Sequence, residues 1–91
     1  MLDFGTADQV CWDSDHLGVT FVVHDGDKAV MCYVSRAAID DNLDYSEPGT
    51  ILDRARSQFD EIIEQVRTRI RQRAFDADGC IRIRTGDWYH Q

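Results

Sequence analysis

The sequence predicts an α+β domain of two layers: an antiparallel sheet of three to four strands, in the order β-β-β-α-α-β, packed against one long helix. Three observations predict it. Between Thr50 and Phe75 the apolar residues Leu52, Ala55, Phe59, Ile62, Ile63, Val66 and Ile70 fall on one stripe of a 100° wheel, the mark of an amphipathic helix. The β-branched and aromatic runs Val19 to Val23 and Ala29 to Val34 flank Asp25-Gly26, a pair suited to the positive φ of a hairpin turn. Cys80-Ile81-Arg82-Ile83-Arg84-Thr85 alternates as a last strand, which gives the sheet a third layer-forming edge and the helix something to cover.

Taken in order, Met1 to Asp8 is weakly patterned and reads as an N-terminal arm. Gln9 to Trp12 is a short strand closed by the turn-forming cluster Asp13-Ser14-Asp15-His16. In the hairpin, alternation places Val19, Phe21 and Val23 on one face with Val30, Cys32 and Val34. Thr20, Val22, His24, Ala29, Met31 and Tyr33 take the other, so both faces are half apolar. Small domains usually keep one sheet face wet, so a half-apolar second face calls for a cover or a partner. Ser35 caps a short helix over Arg36 to Leu43, and residues Asp44 to Gly49 break it from the long one. Thr50 and Asp53 make a capping box in which Asp replaces the better Glu. Asp76-Ala77-Asp78-Gly79 is the expected stop, and Asp87-Trp88-Tyr89 an anchoring tail.

At 91 residues the chain makes a single domain with a thin stability margin. A 25-residue helix is a rod of roughly 37 Å. A domain of this size has a radius of gyration of only about 12 Å, so the helix spans or overhangs it. The net charge of −7 is divided unevenly: residues 1 to 66 carry fourteen acids and four bases, while residues 67 to 91 carry six arginines and three aspartates. A field this negative repels nucleic acid and anionic lipid at long range and disfavours both as partners. The three cysteines, Cys11, Cys32 and Cys80, are an odd and scattered set that suits a reducing compartment. Met1 to Gly5 has no leader pattern and no apolar run approaches the ~20 residues of a membrane span, which together point to the cytoplasm.

Three stretches carry a resemblance: the Ser-capped turn out of the hairpin, Val34-Ser35-Arg36-Ala37-Ala38-Ile39; the helix centred on Ile62-Ile63-Glu64; and the Gly-led strand Gly79 to Ile83 followed by Asp87-Trp88. Over roughly residues 10 to 89 the chain resembles the short bacterial proteins of the domain-of-unknown-function 1488 family, and departs from them in the acidic loop Asp40 to Glu47. The resemblance implies a small α+β fold. It brings no activity, cofactor or catalytic residue with it.

The arginines are the sharpest candidate feature. Arg67, Arg69 and Arg71 flank the apolar stripe and Arg73 falls on it, all near the negative end of the helix dipole, where cations are stabilising whatever else they do. An anion site requires Arg82 and Arg84, on one face of the last strand, to join Arg71 or Arg73 in one patch. Nucleic acid is the weaker ligand for it, since no aromatic lies between the arginines to stack a base. His16, His24 and His90 have no paired cysteines at metal-ligand spacing, and Asp13, Asp15, Asp25 and Asp27 lack the twelve-residue loop of a calcium site, so no metal or other cofactor is expected. Cys80 as a nucleophile has only Asp78 beside it, a poor base for a thiol, and no phosphate loop, serine elbow or zinc helix is present; the sequence reads as non-enzymatic. Val22, Met31, Tyr33 and Trp88 exceed what so small a core needs and mark a candidate interface. The functional expectation is a self-associating interaction module, most simply a homodimer, with anion binding by the arginines of residues 67 to 84 as the alternative.

Overall fold

The computed structural model describes residues 2–43 and 50–88. The connector expected at 44–49 and the tail residues Tyr89 and His90 lie outside the described residues.

Among the described residues the fold is α+β, with a mostly antiparallel sheet on one side and three α-helices on the other. The strands are β1 (Leu2–Asp3), β2 (Cys11–Asp13), β3 (Gly18–Asp25), β4 (Lys28–Ser35) and β5 (Ile81–Ile83). The helices are α1 (Arg36–Asn42), α2 (Ile51–Ser57) and α3 (Phe59–Arg71). β3 pairs with β4 along its whole length, and both β1 and β2 pair antiparallel with the far edge of β3, at opposite ends of it.

The hairpin follows its alternation. Val19 faces Val34, Phe21 faces Cys32 and Val23 faces Val30, and all but Val30 are buried. Gly26 takes φ +61 at the first position of a two-residue loop, where a side chain would be strained. Gly18 is needed for a different reason: it sits between β2 and β4, and a Cβ there would lie 2.1 Å from the Val34 carbonyl oxygen.

Ser35 accepts the Ala38 amide at 3.1 Å and starts α1, as its sequence signal requires. The Thr50–Asp53 capping box closes both ways, at 3.1 and 3.3 Å. Beyond that cap the helical part differs from expectation. The single rod from Thr50 to Phe75 is two helices meeting at Gln58, whose ψ of 32° leaves the helical region. Ser57 Oγ donates back to the Arg54 carbonyl at 3.1 Å, a contact that competes with the helix ladder and bends it. The bend keeps Ala55 on one side and Phe59, Ile62 and Val66 on the other against the same sheet, in a molecule only 37 Å long.

The helix also ends early. Arg73 adopts φ +53, its amide donates to the Ile70 carbonyl, and the Ala74 amide donates to the Arg69 carbonyl. That is a Schellman stop with arginine at the position glycine usually fills. No overhang remains, and Ile70 is the last residue of the stripe to pack on the core.

Two further differences concern the sheet. The N-terminal arm contributes a strand, β1, so the sheet has five strands. β5 runs parallel to β4, with Cys32 opposite Ile81, Tyr33 opposite Arg82 and Val34 opposite Ile83. The reason is the crossover: α1, α2 and α3 carry the chain back across the sheet, so the next strand runs in the direction of β4.

The core lies between the layers. It joins Val19, Phe21, Val23, Cys32 and Val34 of the hairpin to Ile81 and Ile83 of β5, and these to Ile39, Phe59, Ile62 and Val66 of the helices. Phe21 and Phe59 meet edge to face with ring centres 5.2 Å apart.

Candidate interaction surface

The second face of the sheet carries Thr20, Val22 and His24 of β3, Ala29, Met31 and Tyr33 of β4, and Arg82 of β5. Helices cover the opposite face; among the described residues none covers this one. Val22 and Met31 stand opposite each other, half-buried, in a shallow depression of about 380 Å³ that Gln9 and Cys11 complete.

Tyr33 is held by two neighbours on that face. The His16 ring stacks on it at 4.2 Å between centres and 30° between planes. His16 is fixed in turn by Asp13, whose Oδ2 lies 2.7 Å from Nδ1, while Asp13 Oδ1 accepts the Asp15 amide at 3.0 Å. The hydrogen bond from His16 is the main cause that lowers the Asp13 carboxyl below its ordinary range. The Arg82 guanidinium lies 5.2 Å from the ring centre. It is gripped by Asp76 at 2.7 Å and, as a fork, by Asp78 at 3.1 and 2.8 Å. That fork and the Cys80 amide hold the Asp78 carboxyl well below the usual carboxylate range, and the two carboxylates push Arg82 up.

The four arginines expected to share an anion patch have different surroundings. Arg82 spends its charge on Asp76 and Asp78. Arg73 faces a cleft between the hairpin tip and the end of α3, which neither Arg71 nor Arg84 lines. Arg71 is exposed at the end of α3, and Arg84 is exposed beyond β5, its amide donating to Asp87. Arg67 pairs with Glu64 and lies over the Phe4 ring, and Arg69 holds the carbonyl of Asp87 at 2.6 Å.

Of the interface candidates, Val22, Met31 and Tyr33 share the open face. Trp88 does not: it packs against the core on the helical side, following the 3-10 turn Thr85–Asp87 that lies against α1. Terminal aromatics seal small cores in this way. Cys32 is fully buried, and burial pushes its thiol up to about 12. Cys80 is half-buried; desolvation and then the Asp78 charge raise its thiol, which disfavours the nucleophilic thiolate. Among the described residues no three side chains of metal-ligating type converge, and no described helix is long and apolar enough to cross a membrane.

The Asp13–His16–Tyr33–Arg82 chain was not foreseen from sequence. Alternation alone put Tyr33 and Arg82 outward, but their adjacency depends on the parallel register of β4 and β5, which no local signal encodes.

Fold and surface together define a small two-layer α+β protein with one covered and one open sheet face. The chain belongs to the DUF1488 family of proteins of unknown function, whose sequence profile matches residues 3–83. The match begins at β1 and stops at the end of β5, so Asp87-Trp88 lies outside it. In structure the chain is similar to a DUF1488 protein of unknown function from Shewanella loihica PV-4, with a TM-score of 0.66 and 25% identity over 84% of this chain and 86% of the other. A comparison with curated proteins finds no match.

Proposed function

We propose that this chain is a small, non-enzymatic cytoplasmic interaction module that pairs with a second copy of itself through the open face of the sheet. One observation carries the reading: Val22, Met31 and Tyr33 form a half-buried, half-apolar strip on a face that no described helix covers, and Tyr33 is already held by His16 and Arg82. An aromatic anchor whose rotamer is fixed before binding loses little entropy on association, which is the behaviour of interface hot spots. A two-fold pairing brings the same strip from both copies together and needs no second kind of surface. Nucleic acid does not suit this face, because Arg82 on it is paired with two carboxylates and the molecule carries −7 overall.

Sedimentation from micromolar to submillimolar protein tests the reading. The expected result is a concentration-dependent rise above the 10.5 kDa of one chain. Met31→Glu places a charge in the strip without touching the core and is expected to hold the protein at that mass. A wild type that stays at one chain across the range removes the proposal. Two copies each of charge −7 repel, so added salt strengthens the pairing by screening.

A further inference from the structure

The edge of the open face holds a break in the hydrogen-bond ladder. Gly26, with φ +61 at the first position of the two-residue loop, makes Asp25 and Lys28 the closing hydrogen-bonded pair of the hairpin. Bonded and non-bonded pairs alternate along antiparallel strands, so Val23 with Val30 and Phe21 with Cys32 are bonded pairs, and Val22 with Met31 is not. The amide and carbonyl of Val22 therefore point away from β4, to the other edge of β3. On that edge β1 ends with Asp3 opposite His24, and β2 begins with Cys11 opposite Thr20. Neither strand reaches Val22, and no other described residue bonds its main chain.

The N-terminal arm causes the break. Phe4 to Val10 connect two positions that only residues 21–23 separate on β3, so the arm has more chain than the ladder can take. The surplus goes to the core: Val10 is fully buried, and Phe4 and Ala7 pack against the buried cluster. The vacated edge opens into the depression of about 380 Å³. Phe21 lines that depression although its side chain is buried in the core, so its main chain is what the depression meets. Several polar side chains of the lining are engaged elsewhere. Thr20 donates to the Cys32 carbonyl at 3.0 Å, Cys11 to the Gln9 carbonyl at 3.6 Å, and Gln9 Oε1 accepts the Thr6 amide at 3.1 Å.

The N–H and C=O of one extended residue lie side by side, so their complement carries an acceptor and a donor on one edge. A trans peptide unit points its N–H and C=O in opposite directions and cannot meet both. A strand could, but between Asp3 and Cys11 it would have roughly 13 Å of β3 edge and a blocked path at each end. A carboxylate brings acceptors alone, and no described lysine or arginine lines the depression to receive its charge. A primary carboxamide carries both groups on one edge and can enter end-on from the open face.

We infer that the depression binds a primary carboxamide on an apolar body. Its oxygen accepts the Val22 amide, its NH2 donates to the Val22 carbonyl, and the body rests on Val22 and Met31. The same group is offered by a free aliphatic amide and by the glutamine side chain of a protein partner. The inference does not rest on self-pairing.

Amide chemical shifts of the full chain test it, at a dilution where sedimentation reports one chain. The probes are isobutyramide, N-acetylglutamine methylamide, N,N-dimethylisobutyramide and isobutyrate. Either primary amide is expected to move the Val22 amide proton downfield and saturably. The dimethyl amide, which has no donor, is expected to bind about tenfold more weakly, the loss of one hydrogen bond. Isobutyrate is expected to leave Val22 in place. Stronger binding of isobutyramide indicates a free amide, and stronger binding of N-acetylglutamine methylamide a glutamine side chain. Cys11→Tyr fills the depression from an exposed position on β2 and is expected to abolish the shift. If that variant does not fold, the comparison of primary and dimethyl amide decides alone. Silence of Val22 to both primary amides, equal binding of the dimethyl amide or isobutyrate, or undiminished binding in a folded Cys11→Tyr protein overturns the inference. The pairing of the sheet face is read by mass without any amide present and stands or falls separately.

Discussion

Arg56 of α2 closes Nε at 3.1 Å and Nη2 at 2.9 Å on a single acceptor, the carbonyl oxygen of Val10, forty-six residues earlier in the chain. Val10 is fully buried and leads directly into β2, so this one guanidinium ties the helical layer to the edge of the sheet. Arg56→Met keeps most of the stem and removes both donors. It is expected to cost about 1.5–3 kcal/mol, the range for hydrogen bonds to charged groups, read as a fall in the urea midpoint. Arg56→Lys is expected to recover part of the loss, because an ammonium can donate once where the fork donates twice. Equal stability of the Met variant and the wild type would show that water replaces the guanidinium without cost.

Gly18 is constrained by crowding against β4. It pairs with Asp13 of β2 and with Ser35 of β4, and an added Cβ would lie 2.1 Å from the Val34 carbonyl oxygen and 2.9 Å from the Ser35 Cα. Both neighbours are backbone and cannot rotate away. Gly18→Ala is expected to destabilise by about 1–3 kcal/mol through forced strand separation. Amide exchange resolves where: protection should fall first in β2, whose three residues have β3 as their sheet partner. Gly26→Ala, with open space around it and only its φ of +61 at stake, should cost less.

These two sites show where the sequence was readable and where it was not. The hairpin, its facing residues, the Ser35 cap and the Thr50–Asp53 box could all be read, because each is written within a few residues by alternation or by cap chemistry. The bend at Gln58 turns on a serine hydroxyl folding back on its own helix, and the stop at Arg73 uses a residue that carries no stop signal. The parallel register of β5 depends on where three helices return the chain, a long-range outcome. The candidate surface inherited that gap. Val22, Met31 and Tyr33 were placed by alternation, whereas the contact of Tyr33 with Arg82 and the removal of Trp88 to the core needed the tertiary structure.

The fork from Arg82 to Asp78 makes the surface sensitive to acid. The Asp78 carboxyl is lowered in the folded protein, first by the Arg82 hydrogen bonds and then by the Cys80 amide. A carboxyl lowered on folding binds fewer protons in the folded than in the unfolded state, so its contribution to stability is present above the unfolded value, near pH 4, and is lost as pH falls below it. Asp78→Asn should therefore lower the urea midpoint at pH 7, and the gap to wild type should narrow steadily as pH falls from 4 to 2. Asp13, lowered chiefly by His16, adds a loss of the same sign in the same window. A gap that stays constant down to pH 2 would mean that the charge of Asp78 contributes nothing to the fold.

Cys32 sets the alkaline limit in the opposite direction. Its side chain lies in the core between Phe21 and Ile81, and burial, with a smaller push from Cys80, raises the thiol to about 12. In the unfolded chain a cysteine thiol ionises near pH 8.5. Between that pH and about 12 the unfolded state releases a proton that the folded state keeps. Stability from this group is therefore complete below pH 8.5 and declines as pH rises toward 12. The wild type should lose urea midpoint between pH 8 and pH 10.5, and Cys32→Ala, weaker at pH 7 from the lost packing, should show a shallower decline. Alkylation gives an independent reading. Exposed Cys11 should label first and half-buried Cys80 more slowly, while Cys32 reacts only at the rate at which the core opens. Labelling of Cys32 in native protein as fast as Cys80 would contradict both the burial and the alkaline prediction.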